Sequence, residues 1–377
     1  MKPFRRRSKK APAEESAEWR ALVNEVSSAI DTAPDPWREM LKLSLTELSS
    51  ADRLYVPTAF WQPGVRALMA DMEAKGLDTF KSWPSSHFFF YQLFAPVFTN
   101  AMVTSVMPLL RAANPKAPER WLNSHLVGAS EANRDMDVAL AQLDADALPL
   151  QIDSFGESAI GRPPQRYHLF GPDGPTYGRP YLNYLKLITA ASRYIDHPVD
   201  SVLEIGAGFG ALGEVLISSM PDVQYVDIDI PPLSVVAHYY LSQCFPDRQL
   251  LSSLDIRSGS NVTLSPGGPS ACLSAWDLPA VTGNADLFVN AFSFQEMEPH
   301  VVRNYAEQIA RLNTRTVVSV NTRAGKPIKG DAAIGVVEQV TTSSIITTFE
   351  QLGYELVGRV GRPAAPPQAE LVVLRRS

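Results

Sequence analysis

Nine residues, Val202-Leu203-Glu204-Ile205-Gly206-Ala207-Gly208-Phe209-Gly210, constrain this chain more than any other stretch. Val202, Leu203 and Ile205 form the apolar run of a short buried strand, and three glycines follow at alternate positions. Glycine lets the backbone turn tightly and approach a ligand with no Cβ in the way. Leu212, Val215 and Leu216 then recur at the spacing of one buried helical face, and Pro221-Asp222 ends it. Strand, glycine turn and helix in that order open an α/β sheet, whose ligands bind beyond the carboxyl ends of its strands.

The glycines alone suit two kinds of ligand. Gly208-x-Gly210-x-x-Gly213 satisfies the dinucleotide fingerprint, and Gly206-x-Gly208-x-x-Ala211 satisfies its variant. Glu204 separates the readings. A carboxylate repels a pyrophosphate, whereas a cofactor with an ammonium, a sulfonium and no phosphate tolerates or exploits it. The Glu-x-Gly-x-Gly-x-Gly order resembles the first motif of class I S-adenosylmethionine-dependent methyltransferases, with Glu204, Gly206, Gly208 and Gly210 as cofactor residues. An NAD(P)-dependent oxidoreductase and a turn that serves only packing are the competing readings. Val226, Ile228 and Ile230 alternate with Tyr225, Asp227 and Asp229 as in a strand, and Pro231-Pro232 closes it. Asp229 stands at its tip, about 20 residues past the first glycine, where a carboxylate takes hydrogen bonds from a ribose hydroxyl pair. Asp227, one pleat behind on the same face, is the alternative ligand.

The resemblance implies more residues downstream. In methyltransferases of this class the segment after Ala271-Cys272-Leu273 lies beside the adenine, which would give Trp276 a stacking role and Asp277 a hydrogen bond to the amino group. Asp286-Leu287-Phe288-Val289-Asn290 reads as a fully buried strand ending in a further cofactor residue, Asn290. The string Ser293-Phe294-Gln295-Glu296-Met297 leaves its carboxyl end. With Tyr225 to Pro231 and Glu157-Ser158-Ala159-Ile160-Gly161-Arg162-Pro163, it is similar to the sugar O-methyltransferase family, over residues 150–325. That resemblance implies methyl transfer to a hydroxyl of a sugar or glycosylated small molecule in natural-product or polysaccharide biosynthesis. An amino sugar, amino acid or peptide acceptor would make it an N-methyltransferase, and a non-catalytic scaffold is the remaining class.

The carboxyl end points to the same fold independently. His300 to Leu312 and Ser343 to Leu352 are predicted helices, Thr316 to Val320 a strand, and Tyr354 to Val357 and Leu371 to Leu374 a closing pair. Gly358 to Ala369 holds no helical pattern, so that pair is antiparallel. The expected fold is α/β: a Rossmann-like, doubly wound, seven-stranded sheet with an antiparallel last strand, plus an N-terminal all-helical domain. Boundaries fall at a basic tail over 1–13, a helical cap or dimerisation domain over 14–150, and the methyltransferase domain over 151–377. Prolines from Pro34 to Pro115 divide the second segment into short helices, and Ser85 to Tyr91 is aromatic enough to plug it onto the third.

Composition narrows the partners. Six positive charges in the first ten residues, against a net charge of −6, leave −12 for the remainder, which argues against a nucleic-acid groove. Glu14, Glu15 and Glu18 stand where a signal peptide needs an apolar run, and no apolar stretch approaches a membrane span. Cys244 and Cys272 have neither metal-ligand spacing nor a disulfide pattern. A cytoplasmic enzyme acting on a small molecule, with a homodimer as an option, is the expectation.

Methyl transfer from a sulfonium is an in-line displacement, and a sugar hydroxyl needs a general base. The candidates are His300, with Glu296 four residues before it to orient it on one helical face, and His168 from the segment 155–180. That segment, rich in Gly, Pro and aromatics, is expected to cross the cofactor site and offers Arg162, Arg166 and Arg179 to a carboxylate or phosphate. His87 and His125 are expected to be packed or surface residues. Glu296 or Glu298 could hold a divalent ion, but no metal is expected.

Overall fold

A computed structural model describes residues 36–94, 100–116, 118, 128–330 and 334–377. The basic tail over 1–13, residues 14–35 and His125 lie outside the described residues.

The apolar runs of the carboxyl-terminal half pair into a sheet of eight strands. In chain order these are β1 (Ser201–Ile205), β2 (Gln224–Asp229), β3 (Leu250–Ser252), β4 (Ser270–Ser274), β5 (Leu287–Ala291), β6 (Thr316–Thr322), β7 (Tyr354–Val360) and β8 (Ala369–Arg376). Across the sheet they run β7-β8-β6-β5-β1-β2-β4-β3. Neighbours from β6 through to β3 are parallel, and β8 runs antiparallel between β6 and β7. The short edge strand β3 is one more than the seven expected. Its three residues carry too little alternation to be read as a strand from sequence.

Crossover helices follow from spaced apolar positions. Ala211–Ser219 joins β1 to β2, with Leu212, Val215 and Leu216 fully buried. Pro299–Arg311 joins β5 to β6; Pro299 opens it, and Val301, Val302, Tyr305, Ala306 and Ile309 form its buried stripe. Thr342–Glu350 joins β6 to β7, begun by a capping box in which the Thr341 side chain accepts from the Ser344 N–H at 3.1 Å. The winding reverses between β1 and β5, which leaves a crevice beyond their carboxyl ends. Strand order, direction and the reversed β8 are those of the Rossmann-like sheet that the sequence led us to expect. A dinucleotide fold would continue parallel.

The helices that precede the sheet include Pro36–Leu48, Gln62–Lys75, Asn100–Ala113 and Ala129–Gln142. Trp37, Leu45, Leu68, Phe80 and Trp83 from this segment belong to the same apolar cluster as Leu182, Leu212 and Tyr240 beside the sheet. A second cluster, built on Val302, Ile309 and Phe349, covers the opposite face. Each fully buried large side chain contributes roughly 1.5–3 kcal/mol. Among the described residues no helix is long and apolar enough to cross a membrane.

Candidate active site

The glycine turn after β1 is locked from both sides. Gly206, Gly208 and Gly210 have φ of +82°, +67° and +87°, where a Cβ is strained. A Cβ at Gly206 would also strike Ser293, whose hydroxyl donates to the Ile205 carbonyl at 2.9 Å. Phe209, between the last two glycines, is buried against Phe80, Phe90, Tyr91 and Tyr240, with ring centroids 5.3 to 5.9 Å away. The aromatic run Ser85 to Tyr91 thus clamps the turn through Phe90 and Tyr91, while Phe88 stays exposed.

Beneath that clamp lies a closed polar cluster. Lys81 is fully buried, with its Nζ 2.8 Å from Glu157 Oε1 and 2.9 Å from the Tyr240 hydroxyl. Tyr240 donates to Glu214 at 2.5 Å, and Glu157 accepts from the Gly178 N–H at 2.8 Å. Burial pushes Glu214 up to about 7, against the Lys81 charge. The cluster joins the helical segment, residues 157–178 and the helix after the glycine turn.

Gly206 to Phe209 line a cavity of about 390 Å³ beyond the strand ends, and Gly210 packs against Leu241 instead. Asp229 lines the cavity too. Its Oδ2 accepts from the Gly208 N–H at 2.9 Å and its Oδ1 from the Ile230 N–H at 2.7 Å. Burial pushes its carboxyl up to about 7, opposed by those two N–H groups. Asp227 is fully buried behind it and does not reach the cavity, and neither carboxylate oxygen has a hydrogen-bond partner. Burial, then the Asp229 and Glu204 charges, push Asp227 well up. Glu204 is likewise enclosed: Tyr225 donates to Oε2 at 2.6 Å, and Oε1 is unpartnered. Burial raises it to about 7, against the Tyr225 and Tyr184 hydroxyls. Tyr184 lines the cavity, whereas Glu204 itself is buried behind it and does not.

The string after β5 does four jobs in four residues. Ser293 closes on Gly206, and Phe294 stacks between Phe288 and Tyr305. Gln295 pins the loop to β6 by accepting from the Thr322 N–H at 2.8 Å. Glu296 then faces the cavity, its Oε2 accepting from Trp61 Nε1 at 3.0 Å and its Oε1 3.0 Å from Lys326 Nζ. Burial pushes its carboxyl up to about 7, with Lys326 and Trp61 pulling the other way.

Five expected residues sit elsewhere. His300 is exposed and off the cavity: Phe294–Glu296 is a separate 3₁₀ turn and Met297 is extended, so Glu296 and His300 share no helical face. His168 is exposed, its Nδ1 2.7 Å from the Gly174 carbonyl in a two-residue ribbon. Trp276 donates to Glu47 at 2.8 Å, and Asp277 is paired with Arg257 at 2.6 Å. The helix Pro36–Leu48 thereby roofs the end of β4, a contact no local pattern announces. Asn290 is buried and ties strand ends together, donating to the Ile205 carbonyl at 3.1 Å and accepting from Asn321 at 3.0 Å. Of the three arginines, only Arg179 lines the cavity. Arg162 is paired with Asp78 at 3.4 Å, and Arg166 donates to Thr176.

Trp61 and Lys326 join the site without having been expected in it. Lys326 follows β6 at a strand's carboxyl end, a position that could have flagged it. Trp61, 235 residues from Glu296, carries no such signal.

No protein-family model matches the chain, and no curated protein does. Solved structures similar to it include the pyocyanin biosynthetic protein PhzM, at 16% identity and TM-score 0.33, over 50% of this chain and 57% of that one. The chain thus spans little more than half of that protein. Another is magnesium protoporphyrin IX methyltransferase from Synechocystis PCC 6803 with bound SAH, at 13% and 0.36, over 52% and 83%. A third is the glycopeptide N-methyltransferase MtfA complexed with S-adenosylmethionine, at 11% and 0.35, over 52% and 94%. Likenesses this distant do not define the chemistry of the site, which rests on strand order and the cavity.

Proposed function

We propose that the protein is an S-adenosylmethionine-dependent methyltransferase acting on a hydroxyl of a sugar or glycosylated small molecule. One observation carries this reading: the glycine turn, Asp229 and Glu296 meet in one cavity at the winding reversal of a sheet whose last strand is antiparallel. The residues fit the cofactor. The turn presents no Cβ at Gly206 and Gly208, Asp229 offers a carboxyl to a ribose, and the acids Glu204 and Asp227 behind it favour a cation. When bound, S-adenosylmethionine supplies an electrophilic methyl group on a sulfonium. Phe60, Trp61 and Phe89 line the cavity near Glu296, and their apolar walls would reduce the water around a reacting acceptor there. Glu296 takes the acceptor's proton, and a carboxyl held at about 7 is matched to that task. The sugar acceptor rests on the resemblance of the Ser293 to Met297 string. The described part of residues 14–150 would serve as a cap over the methyltransferase domain 151–377, since Trp61 reaches Glu296 from there.

Calorimetry with S-adenosylhomocysteine tests the cofactor, with NAD and NADP as the contrary ligands; heat from a nicotinamide cofactor alone would overturn the reading. Methyl transfer to a panel of sugars, glycosides and their amino counterparts separates O- from N-methylation. Glu296→Gln should lower kcat by on the order of a hundredfold while S-adenosylhomocysteine binds as before. Undiminished turnover would remove Glu296 as the base.

A further inference from the structure

The cavity holds two cations in unequal circumstances. Lys326 is committed to Glu296, 3.0 Å away. Arg179 meets no carboxylate among the described residues. Its Nη1 donates to the Leu93 carbonyl at 2.6 Å, and its guanidinium lies 5.6 Å from the Phe94 ring centroid. A guanidinium has five N–H donors, so most of its capacity is uncommitted.

Its position indicates what it would meet. Arg179 is the first residue of the helix Arg179–Ser192, and Arg179, Asn183 and Leu187 form one stripe of that helix along the cavity wall. Tyr184, beside the stripe, also lines the cavity, whose glycine turn follows the buried carboxylate of Glu204. Leu93 and Phe94, which hold the guanidinium, continue the segment whose Phe90 abuts Gly208. The arginine is therefore tethered to the glycine-turn end of the cavity, and Lys326 to the Glu296 end.

We propose that Arg179 binds the carboxylate of the cofactor's amino-acid tail, an assignment that rests on S-adenosylmethionine being the cofactor. A zwitterionic tail needs a cation for its carboxylate and an acid near its ammonium, and here Arg179 supplies the first while Glu204, buried just before the glycine turn, supplies the second. Arginine suits the task because its fork takes both carboxylate oxygens at once.

The test removes the carboxylate from the ligand and the guanidinium from the protein in turn. Affinities of wild type, Arg179→Gln and Arg179→Lys are measured by calorimetry for S-adenosylhomocysteine, its decarboxylated analogue and 5′-methylthioadenosine. Arg179→Gln should weaken S-adenosylhomocysteine by about tenfold or more and leave methylthioadenosine unchanged. Arg179→Lys should recover part of the loss. On wild type the decarboxylated analogue should already bind about tenfold or more weakly, a comparison that survives even if the glutamine variant does not fold. Equal losses for all three ligands, or unchanged binding of S-adenosylhomocysteine, would overturn the proposal; the latter would turn Arg179 toward an anionic acceptor. Silence of every ligand on wild type would instead bring down the cofactor reading itself.

Discussion

Four carboxyls in and around the cavity and the clamp, those of Glu204, Glu214, Asp229 and Glu296, are raised to about 7, each chiefly by burial. In the unfolded chain such groups release their protons near pH 4. Between about pH 4 and 7 the folded protein therefore holds protons that the unfolded chain has lost, and stability falls as pH rises across that window. Above about 7 both states are ionised and this contribution is constant. Thermal denaturation should show the melting temperature declining from pH 5 to pH 7, and Glu204→Gln should flatten the slope; a rising curve would contradict the burial of these acids. Glu204 and Asp229 could be singled out from the sequence because each is an acid at, or one residue before, the end of an apolar strand. Their mode of action was not, because whether a side chain reaches the cavity or stops one pleat short depends on depth, as Asp227 shows.

Between elements, the decisive joint is the one that fixes the glycine turn to the helical segment. Lys81 is shared by Glu157 and Tyr240, and no water-facing atom relieves it. Lys81→Met should cost about 3 kcal/mol or more, since Glu157 would keep a buried charge without its partner. Denaturant unfolding of the variant checks this, and a loss under about 1 kcal/mol would mean that the pair contributes little. The strands and crossover helices could be read from sequence because their periods are local. This joint could not, because Lys81, Glu157, Glu214 and Tyr240 are ordinary residues until the fold collects them. The helix expected through Glu296 and His300 failed for a related reason: Pro299 starts a new helix, and what precedes it answers to contacts with β6 and Trp61.

At the scale of the molecule, the two halves of the chain do not keep separate interiors. One apolar cluster runs from Trp37 to Val373, and the helix Pro36–Leu48 reaches the sheet through Ser44 on Ser274 and Glu47 on Trp276 and Arg257. Apolar spacing was visible in the sequence; this merging was not, since apolar residues do not state which face they will join. The acid group at the strand tips carries one last consequence for the whole protein. Glu204, Asp227 and Asp229 stand together with few partners, so an arriving cation makes their ionised forms cheaper to keep. Loading the donor near neutrality should therefore acidify the medium. The heat of titration should then shift between phosphate and Tris in proportion to the protonation enthalpy of each buffer.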